Sequence, residues 1–517
     1  MPDKMTSNAF DKKTIKQTIE ELIPENELHP QSVEDVIKLS SFFDKIKICE
    51  TKFNKKYAAL DHSFQEALTL RRLQQITNIA LLNPLWKERI NQSGLKNAPV
   101  SFEEWQKIPL CDKNSIRDFF AGSRPGMVVP INRGGFEIVA SGGTSSGMPS
   151  EIVYSLNELH DTYKIAGDFI GNFMLKDYLA GDAPKWMFTT LADYQMWSSG
   201  TMVGGVLQHI PSVNYIGAGP IMAPVFQQIM SYDGPKAFMG ISQGVGILTD
   251  LGVGLSEEAR KSFRVAMYGS GVLPQRKQAE LKDMYPNLSI LSYFAATQAE
   301  AIGLQLLPDS PFLTSVPGLH LVEIVDENGN WVKEGEEGEL VVTRLHATEA
   351  PVLRFKIGDR MIRRPTIDRE DLKAEQFEFA GRSGDVIHLC DTQYPVSRVY
   401  DSVCDEFTKA SLFDIRTVAH EVQFINQRKM KTLTMLISVD DPGTAAMTLQ
   451  YKYGLDDGRH LFIQSLINSL SIFNQGEANL RTMDKTEYQF NIRFVEKMST
   501  EIVRTEVGKV PMLRDIL

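Results

Sequence analysis

Residues 137–155 read EIVASGGTSSGMPSEIVYS, two β-branched runs that enclose a loop rich in glycine, serine and threonine. The flanking runs predict the two strands of a hairpin, with the loop at its tip. Glycine within an ordered element costs about 0.5–1 kcal/mol relative to alanine, so this loop requires a geometric or a chemical reason. Small residues leave N–H groups and hydroxyls exposed, and these donors can surround phosphate oxygens. The stretch predicts either a phosphate-binding turn or a flexible hairpin tip.

The common phosphate-binding fingerprints do not match this chain. The loop ends in Met148-Pro149, whereas a Walker loop ends in Gly-Lys-Ser/Thr. The segment GVGILTD (244–250) lacks the third glycine of the dinucleotide-binding motif. The interpretation of the glycine-rich loop as a phosphate-binding turn therefore needs support from other segments of the chain.

Composition limits the classes of protein to be considered. A chain of 517 residues is too long for one core, and 43% hydrophobic with 23% charged residues is typical of a globular protein. A net charge of −10 disfavours nucleic-acid binding through bulk electrostatics. The widely spaced Cys49, Cys111, Cys390 and Cys404 predict neither a disulfide framework nor a zinc site. With no signal-like N-terminus and no membrane-length apolar stretch, we expect a cytoplasmic protein without membrane or nucleic-acid partners.

The order of strand-like and helix-like segments predicts the fold class. A helical pattern from about Val33 to Ser93 lies in a helical lead-in of about residues 1–95. Strands and helices then alternate to residue 381, as in SILSYFAA (289–296) and PQRKQAELKDMYP (274–286). Such alternation predicts a large layered α/β domain. Residues 382–517 predict a smaller α+β domain.

Five segments downstream of the loop contain candidate functional residues. They are MYGSGVLP (267–274), LSYFAATQAEAIG (291–303), PVLRFKIGDR (351–360), GRSGDVIHL (381–389) and RTEVGKVPMLRDIL (504–517). Each has an ordinary structural interpretation: an aspartate after glycine is often a turn former, and a phenylalanine is more often core than a stacking partner. A single lysine near a C-terminus is usually a solvated charge.

Together with the glycine-rich loop, these segments resemble the motifs of the acyl-adenylate-forming (AMP-dependent synthetase/ligase) superfamily, in particular its phenylacetate–CoA ligase-like branch. The matching stretches are Ser141–Pro149, Phe294–Glu300, Pro351–Asp359, Gly381–Asp385 and Gly508-Lys509. The resemblance extends from about residue 60 to the end of the chain. It implies an α/β N-terminal adenylation domain (1–381) and a small, mobile α+β C-terminal domain (382–517).

The resemblance also implies an activity and its cofactors. Such enzymes use ATP and Mg²⁺ to convert a carboxylic acid into an acyl-adenylate, and then pass the acyl group to the thiol of coenzyme A. The aromatic and apolar candidates for the acid pocket favour an aromatic or hydrophobic acid. They are Trp197, Phe238, Met239, Ile241 and Tyr268.

The motifs assign roles to further residues by analogy. Lys509 would bridge the carboxylate and the α-phosphate, Thr297 would bind a phosphate oxygen, and Gln298 or Glu300 would support the metal. The residues implied for the nucleotide are Ser141, Gly142, Gly143, Thr144, Ser145, Ser146 and Gly147 for the phosphates; Gly269, Ser270, Gly271, Tyr293 and Phe294 for the adenine; and Asp359 and Arg382 for the ribose.

Two departures from the family pattern keep alternatives open. Met148 stands where the family usually has lysine, and Gln298 stands in the place of the metal-binding glutamate. A neutral amide is a poorer magnesium ligand than a carboxylate. The alternatives are an adenylating enzyme whose acceptor is an amine or a carrier-protein thiol, and a nucleotide-binding protein that has lost catalysis. Assembly into a homodimer is neither indicated nor excluded.

Overall fold

The computed structural model describes residues 11–95, 97–141, 150–194, 196–308, 310–389, 392–454, 459–469, 488–505 and 508–516. The chain forms two compact units. The first comprises Met1–Gly240, Ser262–Gly269 and Ser289–Phe379, and the second comprises Ile241–Lys261, Ser270–Leu288 and Ala380–Leu517. The predicted α/β class is confirmed by this architecture. The boundary at residue 381 and the mobility of the C-terminal domain stay predictions.

The chain begins with helices, as the apolar periodicity predicts. Polar side chains cap their first turns; Ser41 and Ser101, for example, accept the backbone N–H groups of Asp44 and Glu104. Within the described part of the chain, no helix is both long and apolar enough to cross a bilayer. The helices are α1 Lys12–Leu22, α2 Glu25–Leu28, α3 Val33–Ile37, α4 Phe42–Phe53, α5 His62–Ala80, α6 Pro84–Asn91, α7 Phe102–Trp105 and α8 Lys113–Phe120.

Two sheets follow in the first unit. The predicted hairpin is present as β1 Phe136–Ser141 and β2 Ser150–Ser155, which pair antiparallel with each other. The other strands form one large mixed sheet. They are β3 Trp186–Thr189, β4 Asn214–Gly217, β5 Lys236–Ile241, β6 Phe263–Gly269, β7 Ser289–Ala296, β8 Glu300–Gln305, β9 Leu313–Thr314, β10 His320–Val325, β11 Glu337–Arg344, β12 Phe355–Asp368 and β13 Lys373–Arg382.

The strand order of the large sheet is β10-β11-β12-β13-β9-β8-β7-β6-β5-β3-β4. One end is parallel, since β3 runs parallel to β4 and β5, and β6 runs parallel to β7. The other end consists of antiparallel hairpins such as β10–β11 and β11–β12. The connecting helices are α9 Leu156–Phe169, which continues as a π-helical turn at Ile170–Leu175, α10 Ser199–Gln208 and α11 Ala223–Met230.

The second unit has its own sheet and core. Its four-stranded sheet has the order β18-β17-β16-β19, and β14 and β15 form a separate hairpin. The strands are β14 Val386–Leu389, β15 Thr392–Pro395, β16 Glu421–Gln427, β17 Thr432–Ser438, β18 Gln489–Val495 and β19 Leu513–Ile516. The helices are α12 Ser242–Gly246, α13 Leu248–Leu251, α14 Glu257–Ser262 (ending at the first unit's Ser262), α15 Gln275–Met284, α16 Val396–Lys409, α17 Ile415–Val418, α18 Pro442–Tyr453 and α19 Arg459–Asn468.

A buried arginine connects the segment after α7 to the antiparallel end of the large sheet. Arg354 is 0% exposed and pairs with Glu323, its Nη2 lying 3.1 Å from Oε1. The guanidinium also donates to the carbonyls of Gln106, Ile108 (2.8 Å) and Gly329 (2.6 Å). Because every side of the group is satisfied, its burial is compatible with a stable fold. Arg354, the first of the two arginines of the PVLRFKIGDR motif, is therefore a structural residue.

Removing this guanidinium should destabilise the protein strongly. We expect Arg354→Gln to reduce the free energy of unfolding by about 3–5 kcal/mol, because the Glu323 carboxylate would stay buried without its counter-ion. The measurement is the urea-unfolding midpoint. The control is Arg369→Gln, which breaks an exposed ion pair with Asp371 and should cost less than about 1 kcal/mol. Equal midpoints for the two variants would contradict the structural role.

Candidate active site

Three strands of the large sheet end close together in the first unit. The hydroxyl of Tyr293, near the end of β7, donates to the carbonyl of Gly240 in β5 at 3.2 Å. A β-carbon on Gly269, the last residue of β6, would lie 2.5 Å from Cε2 of Tyr293. Glycine is therefore required at residue 269 so that the ring can pack. In α/β sheets, ligands bind beyond the carboxyl ends of parallel strands, and this edge is the candidate site.

The two aromatic candidates for the adenine lie in different environments. Tyr293 is 8% exposed and packs on Gly269, while Phe294 is half-buried. Successive side chains of a strand project to opposite faces, so the two rings do not share one face of the sheet. Phe294 lies beside Phe379, with ring centroids 6.1 Å apart, and Phe379 is 44% exposed. Sequence reasoning missed Phe379; its place two residues before the Gly381-Arg382 motif was the available signal.

The turn after β7 carries the phosphate and metal candidates. Ala299 N–H donates to the carbonyl of Ala296 at 3.0 Å, and Glu300 follows with φ 51°. A tight turn followed by a left-handed residue is a common three-residue hairpin connection, and it places Thr297, Gln298 and Ala299 at the tip. Gln298 and Glu300 are both buried. The structure therefore brings Thr297 and both metal candidates into one turn next to Phe294.

Glu300 occupies an unusual electrostatic environment. Burial raises the pKa of its carboxyl to about 7, against the opposing effects of the Thr162 hydroxyl and the Arg344 guanidinium. Among the described residues, no three His, Cys, Asp or Glu side chains form a cluster that could hold a metal ion. Any metal at this turn would need additional oxygen ligands from a bound molecule.

The ribose candidate Asp359 lies in a β-bulge. On β11, Glu339 and Val341 pair with Arg360 and Lys356 of β12, so the β12 strand has extra residues between those two partners. Gly358, in the bulge, has φ 95°, a conformation that glycine adopts without strain. Asp359 follows it and is buried. Bulges redirect side chains, and this one determines the direction of the Asp359 carboxylate.

The proposed acid-pocket residues do not form one surface. Phe238 is fully buried against Phe188, with ring centroids 4.9 Å apart. Met239, the next residue of β5, projects to the opposite face of the sheet. Trp197 is half-buried in a tight turn after β3, where it exchanges backbone hydrogen bonds with Tyr194. Tyr268, near the end of β6, is half-buried, as is Ile241, where β5 ends. Phe238 and Met239 therefore cannot both line a pocket on one face.

Several candidates belong to the second unit. Ser270 and Gly271 have φ 59° and 151°, and the Ser242 hydroxyl donates to the carbonyl of Gly271 at 2.7 Å. Lys509 follows Gly508, and the N–H of Thr505 donates to the Lys509 carbonyl at 2.8 Å. The N–H of Lys509 in turn donates to the Thr505 hydroxyl at 3.0 Å.

The lysine and the arginine candidates influence one another electrostatically. Burial lowers the pKa of the Lys509 ammonium, and the positive charge of Arg382 lowers it further. Arg382 itself is exposed and follows Gly381, which has φ 117°. The structure therefore places Lys509 and Arg382 within electrostatic range of each other in the second unit.

The glycine-rich loop itself is outside the described residues. This applies to Gly142, Gly143, Thr144, Ser145, Ser146 and Gly147, and to Met148 and Pro149 after them. The strands on either side are described, and Ser141 pairs with Ser150 in the last register position before the loop.

Of the four cysteines, Cys49, Cys111 and Cys404 are free and buried, and Cys390 is outside the described residues.

The lowered pKa of Lys509 can be measured directly. The neutral amine should appear at a lower pH than for an ordinary lysine, so acetylation of Lys509 should accelerate at a lower pH. Arg382→Gln should move this profile to higher pH, because the neighbouring positive charge is lost. The readout is residue-resolved mass spectrometry. Arg493→Gln, which removes an exposed arginine paired with Glu501, is the control; an identical shift in both variants would refute the coupling.

Comparison with known proteins identifies the fold. No protein-family model and no curated protein sequence matches the chain. A 2-hydroxyisobutyryl-CoA ligase in the postadenylation state with 2-HIB-AMP matches with TM-score 0.64 and 14% identity, covering 89% of this chain and 91% of that one. Its open form with 2-HIB-AMP and CoA matches with TM-score 0.55 and 15% identity, covering 89% and 93%. An acyl acid amido synthetase in complex with 2,4-DB matches with TM-score 0.55 and 15% identity, covering 84% and 90%. The chain thus has the fold of the acyl-adenylate-forming ligases.

Proposed function

We propose that the protein is an AMP-forming acid–thiol ligase. It would activate a carboxylic acid with ATP to an acyl-adenylate, and then transfer the acyl group to the thiol of coenzyme A with release of AMP. The observation that supports this most directly is the carboxyl edge of β5, β6 and β7. There, on a chain with the fold of adenylate-forming ligases, Gly269 and Tyr293 are in contact and the Thr297 turn follows directly on β7.

In this proposal the protein contributes positioning and charge neutralisation. The 141–147 loop and Thr297 bind the phosphates, Phe294 packs against the adenine, and Asp359 with Arg382 binds the ribose hydroxyls. Holding the carboxylate in line with the α-phosphate replaces a bimolecular encounter by a unimolecular step. The Lys509 ammonium stabilises the negative charge that develops between the two groups.

Magnesium is compatible with the residues of the Thr297 turn. Mg²⁺ is usually bound by one or two carboxylates together with substrate phosphates and water, so a protein cluster of three ligands is not required. Glu300 is the one carboxylate of this turn, and we assign it rather than Gln298 as the protein ligand. When bound, the ion would neutralise phosphate charge.

The acceptor site is proposed to form when the 382–517 domain changes position after adenylation. Such domain closure would withdraw Lys509 and bring the 384–393 segment to the thiol. An amine acceptor is the second candidate, because an acyl acid amido synthetase has the same fold.

For the acid we propose an aromatic or hydrophobic class, with Met239, Trp197, Ile241 and Tyr268 as contacts.

The central experiment is a pyrophosphate-release screen. Aryl, aliphatic and amino acids are supplied with ATP and Mg²⁺, and acids that support release are then tested with CoA, amines and a carrier protein. We expect release that depends on both an aromatic or hydrophobic acid and ATP, and thioester formation with CoA. If no acid in a broad panel supports release by folded protein, the proposed function is wrong.

Replacing Lys509 should separate the two half-reactions. Lys509→Ala should slow adenylation by about 10²–10³-fold, the usual loss for one charge-stabilising group. Thioester formation from supplied acyl-adenylate should be nearly unaffected. Lys497→Ala, an exposed lysine of the same unit, should change neither rate. Equal losses in both half-reactions would show that Lys509 does not act in adenylation alone.

The metal assignment predicts a specific change in magnesium dependence. Glu300→Gln should raise the Mg²⁺ concentration for half-maximal adenylation about tenfold, because an amide replaces the carboxylate ligand. Gln298→Ala should change it less than about twofold. The readout is adenylation rate against free Mg²⁺ at saturating ATP, and the reverse ranking would transfer the assignment to Gln298.

A further inference from the structure

The segment between β18 and β19 carries Lys509 and contains no helix or strand among its described residues. Backbone N–H and C=O groups in such a segment need partners among side chains or water, because no ladder pairs them. The strand β16 runs parallel to β19, with Phe424 opposite Leu513. The residues of β16 just before this pairing are therefore placed to bind the segment that leads into β19.

One side chain of β16 binds both stems of the Lys509 turn. Gln423 is fully buried. Its Nε2 donates to the carbonyls of Val503 and Pro511, each at 3.0 Å, and its Oε1 accepts the N–H of Val503 at 3.0 Å. Val503 precedes the turn and Pro511 follows it, so a single amide group holds the two stems together against β16.

The turn between these stems closes on Thr505. The Thr505 hydroxyl accepts the N–H of Lys509 at 3.0 Å, and the Thr505 carbonyl accepts the N–H of Gly508 at 2.8 Å. Neither bond involves Glu506 or Val507, which lie outside the described residues. The position of the turn on the sheet therefore depends on how its stems are held.

Other contacts hold the same segment. Arg504 Nε donates to Oε1 of Glu421 at 3.0 Å, and Ile502 is buried in a small apolar cluster with residues of the sheet. Apolar packing is non-directional. The three hydrogen bonds of Gln423, in contrast, bind particular backbone groups, and so they determine which residues of the segment face β16.

We propose that Gln423 is a positioning residue, which holds the stems of the Lys509 turn and so determines where the ammonium group acts in adenylation. This inference rests on the proposed function, in which Lys509 stabilises charge at the α-phosphate. A misplacement of about 1 Å in a catalytic arrangement can cost on the order of 10²-fold in rate. Because Arg504 and apolar packing still hold the segment, the loss of Gln423 should cost less than the loss of the lysine.

A purely structural amide would behave differently. Its loss would lower stability, and any effect on adenylation would be the same with and without Lys509. A positioning residue acts only through the lysine, so its effect on adenylation disappears once the lysine is removed. Coupling between the two substitutions therefore separates the two roles.

The test is Gln423→Met, which keeps a side chain of similar length in the core and removes all three hydrogen bonds. The control is Asn426→Leu on the same strand. Asn426 is also fully buried, but its amide donates to the carbonyl of His388 at 3.2 Å and to Oδ1 of Asp515 at 3.1 Å, neither of which belongs to the Lys509 turn. Both variants should lower the urea-unfolding midpoint.

Hydrogen exchange of residues 503–511, followed by mass spectrometry, reports on the turn without requiring activity. Gln423→Met alone should accelerate this exchange about tenfold, because the stems open locally. Gln423→Asn, which keeps the amide but shortens its reach, is the second variant if Gln423→Met does not fold, and the same results are expected of it.

Kinetics then test the link to Lys509. Gln423→Met should lower kcat for adenylation about tenfold and leave the KM for ATP within about twofold, because the interaction lost is one made in the transition state. Thioester formation from supplied acyl-adenylate should stay within about twofold of the wild type. In the Lys509→Ala background, Gln423→Met should slow adenylation no further. Asn426→Leu should leave kcat for adenylation nearly unchanged.

The outcomes distinguish this inference from the proposed function. If exchange of 503–511 rises equally in Gln423→Met and Asn426→Leu, or in neither, the positioning role is overturned even where the wild type is an active ligase. An equal slowing of adenylation with and without Lys509 also overturns it. If no acid supports pyrophosphate release by the wild type, the ligase fails, and selective exchange in Gln423→Met still supports the hold of Gln423 on the turn.

Discussion

The first unit depends on two buried guanidinium groups. Arg354 connects the loops after α7 to β10 and to the turn before β11, and Arg344 connects β11 to β2 and α9. Transferring a charge out of water is costly, and at Arg354 the cost is offset because the Glu323 carboxylate and three backbone carbonyls accept from its donors. The planar, five-donor shape of arginine permits contacts with several chain segments at once. The hairpin and the segment after α7 are therefore positioned by side chains more than by sheet pairing.

Several candidate residues of the two units have backbone conformations that residues with side chains adopt rarely. Glu300 has φ 51°, Ser270 has φ 59°, and Gly358 has φ 95°. For residues other than glycine such conformations cost free energy, and they persist only where surrounding contacts impose them. At Glu300 the closing of a three-residue hairpin imposes it. The same turn places a buried carboxyl, whose pKa burial raises, three residues after Thr297.

The charge distribution is consistent with a site for a polyanion in a protein that is acidic overall. The chain has a net charge of −10, so a phosphate ligand must be attracted locally rather than by the bulk field. In the second unit burial lowers the pKa of the Lys509 ammonium, and the positive charge of Arg382 lowers it further. An anion bound near both cations would relieve their mutual repulsion.

The sequence by itself determined the elements and the order of the motifs. The run SILSYFAA coincides with β7, both strands around the glycine-rich loop are present, and PQRKQAELKDMYP contains α15. These features depend on local periodicity and turn chemistry, which neighbouring residues specify. The α/β class follows from their alternation.

Only the tertiary structure decided which side chains are available at the site. It assigned Tyr293 to packing on Gly269, placed Phe238 and Met239 on opposite faces of β5, buried Arg354 with Glu323, and connected Tyr154 to Thr297. The contacts of Tyr293, Arg354 and Tyr154 each join residues that are distant in the chain. Such contacts depend on strand order, register and facing, which are set by pairing between remote segments and not by any local pattern.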